Sequence, residues 1–285
     1  MIIDRLYKLV NERGPICIGL DTNFDYLPGY IKDKNNLSID EKIFLFNKNI
    51  IDNTFDLAAC YKVQIAFYEA YGVRGLIAYQ KTLSYIKEKE GIVIADIKRG
   101  DISSTAEQYA KGHFSGDFEA DFLTINPYMG FDAIKPYFKY LDTGEKGLFI
   151  LAKTSNPSSK DFQKLELDGK PLFMHITQKI EEWGEKYRGN SGYSNIGSVV
   201  GLTFPDEFLM IKKHAKHTFF LIPGYGKQGG SGQDLAKIFD KNINAVINSS
   251  RGIIAAHRGI DETKNFVKIT RQKVLAMKKD ILQWL

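Results

Sequence analysis

Ile92-Val93-Ile94-Ala95-Asp96-Ile97-Lys98-Arg99-Gly100-Asp101-Ile102 is the stretch on which the reading of this sequence turns. Ile92–Lys98 is dense in branched apolar residues, the pattern of a strand covered on both faces in a parallel sheet. Strand side chains alternate, so Ile92, Ile94, Asp96 and Lys98 share one face while Val93, Ala95 and Ile97 take the other. Two opposite charges therefore point the same way from the C-terminal end of an otherwise apolar strand. Asp101 follows in the loop beyond.

Similar runs recur along the chain: Pro15–Asp21, Leu57–Ala66, Asp121–Tyr128, Gly147–Thr154, Ser198–Phe204, Thr218–Gly226 and Asn244–Gly252. Helix-like stretches lie between and after them, among them Ser38–Asp56, Val73–Glu90, Ser103–Phe118, Gln163–Tyr187 and Asp261–Leu285. Eight strands alternating with helices indicate a parallel α/β fold, and the count favours a closed barrel over an open doubly wound sheet. No GxGxxG follows the first strand and no Pro/Gly/Ser linker divides the chain. The expectation is α/β, a single (β/α)8 TIM barrel occupying residues 1–285 as one domain. Thr154–Pro171 and Arg188–Gly197 read as loops.

Active sites of such barrels form at the C-terminal ends of the strands. Alternation places Cys17, Gly19 and Asp21 on one face of the first strand and Ala58, Cys60, Lys62 and Gln64 on one face of the second. Asp21, Lys62, Asp96, Lys98 and Asp101 thus gather at one rim. An isolated Asp96–Lys98 pair could simply seal the barrel, but buried pairs are weak sources of stability, and five charges at one rim point to a site. Alternation from Leu151 also turns Lys153 inward, where no role attaches to it.

Composition narrows the function classes. The 285 residues are 44% apolar and 26% charged, and 39 Lys+Arg against 34 Asp+Glu leave +5. That excess is spread out, which argues against a nucleic-acid partner and suits a small anionic substrate. Cys17 and Cys60 sit in apolar runs, as small buried side chains of a reducing compartment do. No signal-peptide pattern and no apolar run of about 18 residues is present, so a soluble, cytoplasmic protein with no membrane partner is expected. His113, His175, His214, His217 and His257 follow no metal spacing and read as helix-surface residues.

Asp96-Ile97-Lys98-Arg99-Gly100-Asp101-Ile102 resembles the D-x-K-x-x-D-I signature of the orotidine 5′-phosphate decarboxylase family, in the form of its bacterial type 2 subfamily. Gly19-Leu20-Asp21, Tyr61–Glu69, Asn126–Gly130, Lys153–Pro157, Pro223–Gly230 and Asn248–Ile253 agree in order and spacing, so the similarity runs from about residue 15 to about 255. The resemblance implies decarboxylation of orotidine 5′-phosphate (OMP) to UMP and CO2, without cofactor or metal, in de novo pyrimidine synthesis. It puts the family's alternating Lys-Asp-Lys-Asp array on Lys62, Asp96, Lys98 and Asp101. It further implies a homodimer with shared sites, Asp101, Ile102 and Thr105 reaching the neighbouring subunit. Asp21 would touch the ribose and Ser155 the pyrimidine amide. Pro223, Tyr225, Gln228 and Arg251 would line the phosphate end. A magnesium-dependent sugar-phosphate decarboxylase or synthase shares D-x-K-x-x-D, but such enzymes lack the Lys62 and pyrimidine-contact pattern.

These residue types suit that chemistry. Loss of CO2 leaves a carbanion at C6, and only interactions stronger in the transition state speed its formation. A fixed ammonium beside C6 meets that need, and flanking carboxylates keep it protonated. Phosphate commonly binds between the last two strand loops of a barrel, and Arg's planar fork suits it there.

Overall fold

The computed structural model describes residues 1–226, 230–240 and 242–284. Eight parallel strands close into a barrel. They are β1 (Ile16–Gly19), β2 (Cys60–Gln64), β3 (Val93–Arg99), β4 (Phe122–Ile125), β5 (Gly147–Lys153), β6 (Ile196–Val200), β7 (Phe220–Ile222) and β8 (Ala245–Ser249). Each pairs with its sequence neighbours, and β8 returns to β1 with Ile16 opposite Ile247. All eight expected strands form, though most end before the expected limits. The chain beyond the last paired residue leaves the sheet, and there the site loops begin.

The inward positions interlock large with small. Gly147 and Gly197 carry no Cβ, and Phe122 and Phe149 fill the space this leaves. A Cβ on Gly147 would lie 2.3 Å from Cε1 of Phe122, and one on Gly197 2.7 Å from Cε1 of Phe149. The two rings pack 5.1 Å apart, centroid to centroid. Such layers make the interior of a barrel a packed core rather than a pore. The helix Ile2–Arg13 covers the N-terminal end, where the Ile2 amide donates to the Gly144 carbonyl and the Ile3 amide to Asn195 Oδ1.

Helices form where capping and apolar spacing require them. Ser38 opens Ile39–Thr54 with a capping box, its amide donating to Glu41 Oε2 at 2.8 Å, and Ile43, Phe46, Ile50 and Ile51 turn inward. The stretch Gln163–Tyr187, expected as one helix, instead has a hairpin pairing Glu166–Leu167 with Lys170–Pro171. Its two-residue turn is Asp168-Gly169, both at positive φ, the signature of a tight hairpin turn. The helix begins only after Pro171, at Leu172. The segment read as a plain loop after β5 thus carries this hairpin and a short helix, Lys160–Gln163.

Three histidines depart from the helix-surface expectation: His217 lies in the bend after the helix Pro205–His214, and two others are buried. His257 is fully buried between Phe46 and Phe266. His113 is buried against Phe118, and burial, helped by the Arg99 charge, lowers its pKa to about 4. Aromatic surroundings outweigh polarity at both positions. Both cysteines are free and buried.

Two predictions follow from this packing. Gly197→Ala forces a methyl to within 2.5 Å of the Phe219 carbonyl oxygen, which backbone pairing holds in place. It should cost about 1–3 kcal/mol, a fall of roughly 2–12 °C in melting temperature measured by calorimetry. For His113, the unfolded chain takes up a proton near pH 6.5 and the folded chain only near 4, so this group removes stability as pH falls through that window. His113→Leu should flatten that part of the melting-temperature profile; an unchanged slope between pH 7 and 4.5 would assign the acid sensitivity to other groups.

Candidate active site

At the C-terminal mouth of the barrel lies a cavity of about 490 Å³. Leu151, Val199 and Leu221 form apolar lining from three adjacent strands, and Lys62, Asp96 and Lys98 supply charge from the other side. Alternation explains the arrangement. Residues two positions nearer the mouth than the packed inward side chains still face inward, and there they line the cavity.

The carboxylate of Asp96 is the hub. Its Oδ2 accepts from Lys62 Nζ at 2.7 Å, and its Oδ1 accepts from Lys98 Nζ at 2.6 Å and from Thr124 Oγ1 at 2.8 Å. Lys62 Nζ also reaches Asp21 Oδ1 at 3.3 Å. Asp21, Lys62, Asp96 and Lys98 therefore run as one chain of alternating sign. Burial alone would raise the pKa of Asp96, but Lys62 and Lys98 outweigh it and hold the carboxyl far below its ordinary range. Burial would likewise lower Lys62, yet Asp21 and Asp96 keep it above the usual lysine value. Both groups are charged at neutral pH.

Exposure divides their roles. The side chains of Lys62 and Asp96 are each 6% exposed, whereas that of Lys98 is 44% exposed and opens onto the cavity. Lys98 stands at φ +44°, a left-handed conformation that ordinary side chains rarely adopt. The β3–β4 register shifts between Ala95 and Arg99, and the Lys98 amide donates to Thr124 Oγ1 at 3.0 Å. Strain of this kind persists where surrounding contacts over-determine it, and it concentrates at functional positions. Here it accompanies an ammonium held at the end of the strand.

Of the other expected site residues, Ser155, Pro223, Tyr225 and Arg251 line the same cavity. Arg251 is exposed and opens the short helix Arg251–Ile254 after β8. The Tyr225 hydroxyl is already engaged, donating to Asp280 Oδ2 at 2.5 Å from the helix Phe266–Leu282. Gln228 lies outside the described residues. Asp101, Ile102 and Thr105 do not line the cavity of their own chain. Asp101 Oδ1 accepts from the Ile102 amide at 2.8 Å, and Ile102 and Thr105 are exposed.

Thr124 and Asn248, which line the site, were not among the expected site residues. Alternation from Phe122 along the fourth strand would have found Thr124. Lys153 corrects another expectation: it does not face the cavity. The β5–β6 register shifts between Leu151 and Lys153, which breaks the alternation that pointed it inward. Its ammonium lies instead 3.4 Å from Glu207 Oε2 and 4.3 Å from the centre of the Phe204 ring.

Residues 15–266 match the family model described as orotidine 5′-phosphate decarboxylase / HUMPS family. The chain is 53% identical over 284 residues to an orotidine 5′-phosphate decarboxylase of Clostridium botulinum (strain Loch Maree / Type A3), covering 99% of each. A solved structure from Streptomyces avermitilis superposes with a TM-score of 0.82 at 28% identity, covering 98% of this chain and 94% of that one. The Leishmania donovani UMP synthase superposes with a TM-score of 0.76 at 29% identity; 96% of this chain spans 56% of that one. The charged chain at the mouth, the closed barrel beneath it and a match over nearly the whole length agree, and the protein belongs to the orotidine 5′-phosphate decarboxylase family.

Proposed function

We propose that this chain, folded as one barrel domain, converts OMP to UMP and CO2 without cofactor or metal, acting as a homodimer in the cytoplasm. The observation that carries the reading is the continuous Asp21–Lys62–Asp96–Lys98 chain in the family's barrel. The sugar-phosphate alternative has no comparable support.

In this reading the substrate lies across the mouth with its pyrimidine near Lys98 and its phosphate toward Arg251. Ser155 faces the pyrimidine edge, and Asp21 with Lys62 the ribose hydroxyls. The C6–carboxylate bond breaks heterolytically, CO2 departs, and the electron pair stays on C6. The Lys98 ammonium stabilises that pair and then gives C6 a proton, and solvent returns one to the amine. Asp96 holds Lys98 beside the reacting carbon, and a charge fixed beforehand needs no reorganisation as the carbanion forms. The opposite end of the substrate supplies binding energy through the Arg251–phosphate contact, which a remote group can contribute to positioning the ring.

Asp101 completes the array from the partner subunit, together with Ile102 and Thr105. Asp101 does not line the cavity of its own chain, and this together with the exposure of Ile102 and Thr105 supports that assignment. So do the exposed apolar side chains Tyr128 and Met129 of the loop after β4, where Met129 Cε would lie 3.6 Å from a Cβ on Gly100; a second subunit would cover them. No described helix is long and apolar enough to cross a membrane.

The direct test is loss of the orotate-ring absorbance when purified protein meets OMP in the presence of EDTA. Turnover is expected, and an enzyme that leaves OMP intact, or works only with Mg2+ restored, would refute the reading. Lys98→Ala and Asp101→Ala should each lower kcat by at least about 10³. Mixed in equal amounts as refolded heterodimers, they should recover about a quarter of wild-type activity, because half the dimers hold one intact site of two. No recovery in demonstrated heterodimers would place Asp101 outside a shared site. Arg251→Ala should reduce kcat/KM for OMP by about 2–4 kcal/mol and leave turnover of phosphate-free orotidine unaltered. Equal losses on both substrates would detach Arg251 from the phosphate.

A further inference from the structure

Lys153 is a lysine without an assigned task. It is 1% exposed, does not line the cavity and, among the described residues, pairs with Glu207 and not with the charged chain at the mouth. A buried ammonium is costly unless several partners satisfy it. Here they are Ser159 Oγ at 2.8 Å, the Thr154 carbonyl at 3.3 Å and Glu207 Oε2 at 3.4 Å, with the Phe204 ring face 4.3 Å away. Burial pulls its pKa below the ordinary lysine value, and the Glu207 carboxylate opposes that pull. Two hydrogen bonds and the pairing with Glu207 engage the ammonium away from the cavity.

The partners come from two segments, the loop that follows Lys153 directly and a helix start about fifty residues further on. Lys153 ends β5, Ser159 belongs to the loop that follows, and Phe204 with Glu207 start the helix Pro205–His214 after β6. Glu207 also pairs with Lys164, further along the same loop. The loop is fastened again next door: the Thr154 amide donates to Gln163 Oε1 at 2.9 Å, and Gln163 Nε2 donates to Thr154 Oγ1 at 2.8 Å. Between these fastenings sits Ser155, which lines the cavity. The Gly201 amide donates to the Lys153 carbonyl at 2.8 Å, and a Cβ on Gly201 would lie 2.8 Å from that of Ser155. Ser155 is therefore wedged between the β6 loop and a turn drawn together by one ammonium.

We propose that Lys153 is a positioning residue for pyrimidine recognition: its buried ammonium pins the loop after β5 to the helix after β6 and so fixes Ser155 at the cavity edge. The inference rests on the reading above that Ser155 meets the pyrimidine. It assigns Lys153 to recognition of the base and gives it no part in binding the phosphate or in the proton transfer.

The test compares two ligands on the intact protein by calorimetric titration: 6-azauridine 5′-monophosphate, which carries a pyrimidine ring, and ribose 5-phosphate, which carries none. Lys153→Met keeps the length and apolar stem but removes the charge and the donors. It should weaken the nucleotide by about tenfold while leaving ribose 5-phosphate within about twofold of wild type. Ser155→Ala should cost far less in the Lys153→Met background than in wild type, since the two substitutions disable one contact. Equal weakening of both ligands, or costs that simply multiply, would overturn the proposal by showing general loosening or independent action. Should Lys153→Met fail to fold, Ser159→Ala removes only the hydroxyl that accepts from Lys153 and should give a smaller loss with the same selectivity; unchanged nucleotide affinity there would overturn it too. Wild-type protein that leaves OMP intact refutes the decarboxylase reading, whereas wild type that turns OMP over without Lys153–Ser155 coupling refutes only the positioning role.

Discussion

One carboxylate between two ammonium groups governs the mouth of this barrel. Asp96 meets Lys62 at 2.7 Å on one oxygen and Lys98 at 2.6 Å on the other. Removing a carboxylate and a lysine from water costs several kcal/mol each, so neither Asp96 nor Lys62 would be tolerable alone at 6% exposure. Each is held charged by its neighbours, and the arrangement persists only as a set. The same dependence makes it useful. Lys98, 44% exposed, is the member turned toward solvent, and its position is fixed by a group that cannot easily move.

The barrel keeps that set in register. Inward positions beneath the mouth are filled by fitting Phe122 and Phe149 against Gly147 and Gly197. Above that packing the next inward positions, among them Lys62, Asp96, Thr124 and Val199, line the cavity. Polar side chains there need no break in the fold to border the cavity. The departure is at Lys98, where the β3 ladder slips and the backbone turns to positive φ. Asp96 and Thr124, from adjacent strands, hold Lys98 by its ammonium and its amide in turn.

The opposite half of the mouth is built from loops, which obtain their rigidity elsewhere. The turn bearing Ser155 is drawn against the β6 side through Lys153, Ser159 and Glu207. Asp280, on the helix Phe266–Leu282, receives the Tyr225 hydroxyl at 2.5 Å and the Gly232 amide at 2.8 Å, so one carboxylate ties down two points of the segment after β7. Loops around barrel mouths carry specificity because the scaffold beneath them can stay constant.

Much of this was legible in the chain. Eight β-branched runs between helical stretches specify a closed parallel barrel, and period-two alternation puts Asp21, Lys62, Asp96 and Lys98 on inward faces near strand ends. Backbone geometry alone dictates both results, so no partner segment had to be known. Where local rules met competing tertiary contacts they failed. A ladder slip turned Lys153 away from the cavity, apolar neighbours buried His113 and His257, and Asp168-Gly169 made a hairpin where a helix was expected. The link from Lys153 to Glu207 spans 54 positions of chain and that from Tyr225 to Asp280 spans 55. Only the folded arrangement decides such pairs, because each depends on which segments the closed barrel brings side by side, a property of its curvature and packing that no local pattern encodes.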